Sequence, residues 1–144
     1  SEMCIRDSCS CDDKNVYFLV EVLDRSLLRG DYATVYLSPD DSKSLTNGAK
    51  RIQVSMDGLK STETYAGKWN NAEMGVEVKT YVCNDTNEDR IDNYGYIAEI
   101  SVPRSSLTIS SGQVLVNFSI TDNKEEEAVS DVSSISRWIP VAGL

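Results

Sequence analysis

The chain has 144 residues, 23 acidic and 14 basic, for a formal charge of -9, with 40% hydrophobic and 8% aromatic residues, four cysteines and no histidine. That length describes one domain able to bury a core. The acidic balance without a basic cluster excludes nucleic acid and anionic membrane surfaces as partners, and the lack of histidine removes Ser-His-Asp and Cys-His catalysis, imidazole-bound haem and the commonest zinc and iron sites. Any metal is expected to be a hard cation held by oxygen. No apolar run approaches the ~20 residues of a membrane span, so no membrane insertion is expected, and the start lacks the apolar stretch of a signal peptide.

Residues 1–8 show no hydrophobic period and no initiator Met at position 1. In one reading frame Glu2 to Ser8 resembles the translation of a transposon end used in sequencing-library adapters. They are set outside the fold as a non-native or disordered segment, with the domain at residues 9–144 and further sequence expected upstream. With Cys4 discounted, Cys9, Cys11 and Cys83 are an odd set, and Cys9 and Cys11 stand too close for an easy bridge. Thiols rather than a disulfide framework are expected.

Alternating apolar and polar residues rich in Val, Ile, Tyr and Phe then recur between Gly, Asn, Asp and Ser clusters, which predicts strands throughout. Residues 16–24 place Val16, Phe18, Val20 and Val22 on one face and Tyr17, Leu19 and Leu23 on the other, so both faces are expected to be covered, as on a central strand. Residues 31–38 place Ala33, Val35 and Leu37 inward with Thr34 and Tyr36 opposite, and Pro39 closes the strand. Residues 50–56, 75–82, 95–102 and 113–121 follow, with a last short strand over 133–141 containing Trp138. Short strands joined by turns describe an all-β fold, a two-sheet antiparallel β-sandwich of jelly-roll or immunoglobulin-like type.

If strands 52–56, 76–82, 96–102 and 114–120 share one sheet, its outward row includes Gln53, Glu77, Lys79, Glu99, Ser101 and Asn117. Such hydroxyls, amides and carboxylates suit a polar ligand, although an ordinary solvated sheet face alternates in the same way. A pyranose ring presents a patch of C–H groups to an aromatic face and a rim of hydroxyls to polar groups. Trp69, placed by this reading in a turn-rich loop, is the first stacking candidate, followed by Trp138, with Tyr65 and Tyr94 weaker. Glu99, Asn117 and Gln53 supply the polar partners. Asp85, Glu88, Asp89 and Asp92, interleaved with asparagines, offer oxygen ligands for a structural calcium, while the same composition also makes ordinary turns. Glu77 and Glu99 are the carboxylates nearest to an acid–base pair, but no cleft is legible, so no enzyme activity is expected.

Three segments carry a resemblance. An acidic turn at Asp12 and Asp13 leads into an aromatic-apolar strand closed by Asp24. Residues 31–37 then read Asp-Tyr-Ala-Thr-Val-Tyr-Leu. Last, an acidic loop over 84–93 runs into Gly95, Tyr96, Glu99 and Pro103 in the spacing G-Y-x-x-E-x-x-x-P. In order and spacing, residues 12–140 resemble carbohydrate-binding module family 9 and its DOMON-like relatives. The resemblance implies a non-catalytic sandwich that binds polysaccharide or oligosaccharide, appended to a glycoside hydrolase or another polysaccharide-processing protein. It further implies an extracellular or cell-surface location and adjacent domains as partners. The family's acidic residue on the second segment is Thr34 here, and its arginine on the next strand falls at Gln53. A structural or protein-interaction sandwich without a sugar site is the alternative.

Overall fold

The structure, a computed structural model, describes residues 3–24, 32–39, 46–85, 92–107, 109, 113–121 and 139–142. Ten strands are described: β1 (Met3–Cys11), β2 (Asn15–Asp24), β3 (Tyr32–Ser38), β4 (Lys50–Ser55), β5 (Gly58–Tyr65), β6 (Trp69–Asn71), β7 (Glu77–Asp85), β8 (Asp92–Pro103), β9 (Gln113–Thr121) and β10 (Ile139–Ala142). They form a four-stranded sheet in the order β1-β2-β8-β7 and a six-stranded sheet in the order β10-β9-β3-β4-β5-β6. Every pairing is antiparallel. The fold is the expected all-β sandwich.

Period-2 alternation builds the core. Val16, Phe18, Val20 and Val22 from β2 and Tyr96, Ala98, Ile100 and Val102 from β8 meet Ala33, Val35, Leu37, Ile52, Val54, Val114 and Val116 from the facing sheet. Each fully buried branched side chain of this kind contributes about 1.5–3 kcal/mol. Phe18 and Phe118 meet edge to face across the core at 6.2 Å between centroids. The Tyr96 hydroxyl donates across it to the Val54 carbonyl at 3.4 Å, and Thr80 Oγ1 donates to the Met56 carbonyl at 3.0 Å, so polar ties accompany the apolar packing of the two sheets.

Turn chemistry fixes the ends of the strands. Between β1 and β2 the Asp12 carboxylate accepts the Lys14 and Asn15 amides at 2.8 and 2.7 Å, the geometry of an Asx turn. Arg104 braces that turn, its Nη1 donating to the Asp12 carbonyl at 3.0 Å. At Gly75 the backbone has φ 67° and an added Cβ would lie 3.3 Å from Pro103 Cγ, so both conformation and space favour glycine there.

Four expectations need correction. Strands 52–56, 76–82, 96–102 and 114–120 do not share one sheet: β7 and β8 lie in the four-stranded sheet, β4 and β9 in the six-stranded one. Alternation tells which face of a strand is buried but not which strand is its neighbour, because each sheet supplies the same inward pattern. Residues 1–8, set outside the fold, contribute Met3 to Ser8 of β1, which pairs along β2 from Cys11↔Val16 to Met3↔Asp24. Main-chain pairing to an exposed edge needs no side-chain period. The far face of β2 is open, with Tyr17 and Leu19 exposed, whereas β3 is covered on both faces, since Thr34 and Tyr36 are 1% and 2% exposed. Finally, β5 and β6 were not predicted, β5 being polar and half-buried along most of its length. Of the last expected strand, over 133–141, the described part is β10 (Ile139–Ala142), while 133–138, Trp138 included, lie outside the described residues.

Candidate functional site

The outer face of the six-stranded sheet is assembled by register. Asn117 of β9 stands beside Tyr36 of β3, which pairs with Arg51 of β4, which pairs with Glu63 of β5. One row along, Ser119 faces Thr34, Thr34 faces Gln53 and Gln53 faces Ser61. Gln53 and Asn117, named as polar candidates, therefore do share a face.

Hydrogen bonds fix this surface. Arg51 Nε and Nη2 donate to the two Glu63 carboxylate oxygens at 3.0 and 2.7 Å, a bidentate pair with side chains only 15% and 13% exposed. Ser61 Oγ donates to Gln53 Oε1 at 2.9 Å, while Gln53 Nε2 reaches Thr34 Oγ1 at 3.5 Å. Trp69 opens β6 rather than sitting in a loop, and it is half-buried. Tyr65 meets it edge to face at 5.4 Å, Tyr36 lies 6.3 Å away and the Arg51 guanidinium sits 4.4 Å over the ring. At the far side Lys60 Nζ lies 3.6 Å over Tyr32.

Burial pushes the Tyr36 phenol above its ordinary value, offset in part by the neighbouring Ser119 and Arg51. Asn117 is 7% exposed: its Oδ1 accepts the Phe118 amide at 2.7 Å, but its Nδ2 has no hydrogen-bond partner among the described residues. The same holds for Trp69 Nε1 and Ser38 Oγ. Buried donors of this kind cost about 1–3 kcal/mol each when left unpaired.

Glu99 is not part of this surface. It projects from the opposite side of the sandwich, on the outer face of the four-stranded sheet, opposite Lys79 of β7 and Leu19 of β2. There it helps line a groove of about 400 Å³ together with Tyr17, Leu19, Glu77, Lys79 and Ser101. The Tyr17 hydroxyl donates to Asp12 Oδ2 at 2.6 Å. This bond, with the Asn15 and Lys14 amides, holds the Asp12 carboxyl below its ordinary 3.8, and the bond to Asp12 raises the Tyr17 phenol above 10.0.

Of the calcium candidates, Asp85 ends β7 and is paired in register with Asp92 at the start of β8. Glu88 and Asp89 lie outside the described residues, as do Trp138 and the side chain of Tyr94. Among the described residues no group of three or more metal-ligating side chains occurs. Sequence reading missed Arg51, Glu63 and Tyr36. Their signal was cross-strand: a basic, an acidic and an aromatic residue become one unit only when the β3-β4-β5 register is known.

Fold and surface together define a β-sandwich module with one polar-aromatic sheet face and one grooved sheet face. The chain is 31% identical over 114 residues, 78% of its length, to the endo-1,4-beta-xylanase C of Paenibacillus barcinonensis, and this match spans about 9% of that protein's length. No family model matches the chain. No solved structure matches it either.

Proposed function

We propose that this chain is a non-catalytic carbohydrate-binding module, of the family 9-like type, from a secreted or surface protein that processes polysaccharides. One observation carries the reading: the outer face of the six-stranded sheet gathers Gln53, Asn117, the Arg51–Glu63 pair and the Trp69–Tyr65 cluster, with Asn117 Nδ2 and Trp69 Nε1 lacking partners among the described residues. Amides, a charged pair and aromatic rings beside donors that lack partners are what a polyol ligand needs. The similarity to a xylanase makes xylan and related β-1,4-linked glycans the first ligands to test. Absence of catalysis belongs to the proposal: Glu77 and Glu99 line one groove on the four-stranded sheet, and a xylo-oligosaccharide hydrolysis assay that releases no product from wild type supports a binding role. A structural calcium at the β7–β8 hairpin belongs to the same proposal, with Asp85 and Asp92 in register as two of its ligands and Glu88 and Asp89 as the others.

The test is a glycan array followed by calorimetry on the wild type and on Gln53→Ala, a half-buried position. Binding to a β-1,4-linked glycan, weakened at least about fivefold in Gln53→Ala, supports the reading. A silent array with folded protein rejects it in favour of an interaction module. That second reading has its own observation: Arg51, Glu63, Gln53 and Ser61 already satisfy one another, as a purely structural face would.

A further inference from the structure

The outer face of the four-stranded sheet is unusual for a solvated strand surface. Tyr17, Leu19 and Tyr81 are 36%, 42% and 51% exposed there, although alternation would allow polar residues at each position. They do not stand alone. Lys79 pairs with Glu99 and Glu77 with Ser101 across β7 and β8, so cation, carboxylates and a hydroxyl interleave with the apolar side chains along the groove of about 400 Å³. That volume falls within the range of small-ligand clefts.

We propose that this groove, continued along the same sheet face to Tyr81, is a second saccharide-binding surface, taking an extended neutral oligosaccharide from Tyr17 in the groove to Tyr81 beyond it, with its hydroxyls held by Glu77, Lys79 and Glu99. The inference rests on the carbohydrate reading but places a site on the opposite side of the sandwich. Tyr17 is a preset platform, because its hydroxyl is anchored to Asp12 and the ring loses little freedom when a ligand stacks on it. Tyr81 lies two strands over and four residues along, about 16 Å away by strand spacing and rise, so one ligand spanning both must be several rings long. Carboxylates beside an ammonium group supply acceptors and a donor to a polyol. A polyanion meets the groove's two glutamates and the chain's charge of -9.

Calorimetry with xylohexaose and cellohexaose on the wild type, Tyr17→Ala, Tyr81→Ala and Gln53→Ala separates the two faces. Both tyrosines are exposed enough for alanine to leave the fold intact, which circular dichroism checks. The proposal expects at least about a fivefold loss of affinity in Tyr17→Ala, a loss in Tyr81→Ala, and groove binding retained in Gln53→Ala. Binding lost in Gln53→Ala and unchanged in both tyrosine variants overturns the groove while leaving the six-stranded face standing. Binding lost only in the tyrosine variants supports the groove and overturns the six-stranded face. No binding of either probe by folded wild type overturns both.

Discussion

Around Trp69, Tyr65 and Tyr36 close on the indole while the Arg51 guanidinium lies over its face. Arg51 is itself held by Glu63, so the cluster links β3, β4, β5 and β6 through side chains alone. Replacing Trp69 with Ala removes the ring all of them pack against, and we expect a loss of about 2 kcal/mol, less than for a fully buried tryptophan, measured by urea denaturation. A tryptophan in a turn-rich loop, where the sequence alone places Trp69, would instead leave the midpoint unchanged. For this reason Gln53→Ala is the cleaner binding variant. A second prediction concerns Asp12 and Tyr17. The Asp12 carboxyl is lowered chiefly by the Tyr17 hydroxyl, so its stabilising effect is present above the unfolded value near 3.8 and fades as pH falls through the folded value. The Tyr17 phenol is raised chiefly by Asp12, so its share is present below 10.0 and fades as pH rises through its folded value. Tyr17→Phe should move the Asp12 carboxyl resonance to titrate at higher pH. The stability difference from wild type should shrink at both extremes.

The least legible elements were the strands without an apolar alternating face, β1, β5 and β6, and not the edges as such, since the edge strand β7 was read. β2, β3, β4, β7, β8 and β9 each announce themselves by alternation, and their buried residues are largely those read from the sequence: Val16 to Val22 on β2, Ala33 to Leu37 on β3, Tyr96 to Val102 on β8. β5 and β6 bury little and are held by backbone pairing, so hydrophobic period has nothing to report there. β1 is the sharper lesson. Residues 1–8 carry no pattern, yet main-chain pairing places most of them along β2. Deleting residues 1–8 should strip the ladder from residues 19–24 of β2, and a fall of several degrees in the melting temperature is expected; an unchanged midpoint means that the sandwich does not use this strand. At the β7–β8 hairpin, millimolar calcium should raise the melting temperature of the wild type and leave that of Asp92→Ala unmoved, since a ligand stabilises only the state that binds it. An unresponsive wild type reduces the acidic loop to turn chemistry.

For the whole molecule, composition and strand pattern sufficed for the sandwich but not for the assignment of strands to sheets. That step decided the site: Glu99 and Asn117, read as members of one outward row, ended on opposite sides of the protein, while Gln53 and Asn117 were brought together by β3 between them. The two sheets pack through a common core, tied by Tyr96 and Thr80, so their outer faces look away from one another and no bending of the sandwich lets them meet. This back-to-back arrangement has a consequence for valency. A short glycan engaged on one side gains no effective concentration for the other, because it cannot wrap the intervening thickness. Two occupied faces would instead join two separate polymer chains. A module with both surfaces active should therefore thicken or cloud a dilute solution of long xylan near equimolar sites and clear it again in excess protein, whereas Tyr17→Ala, left with a single face, should bind the polymer without bridging it.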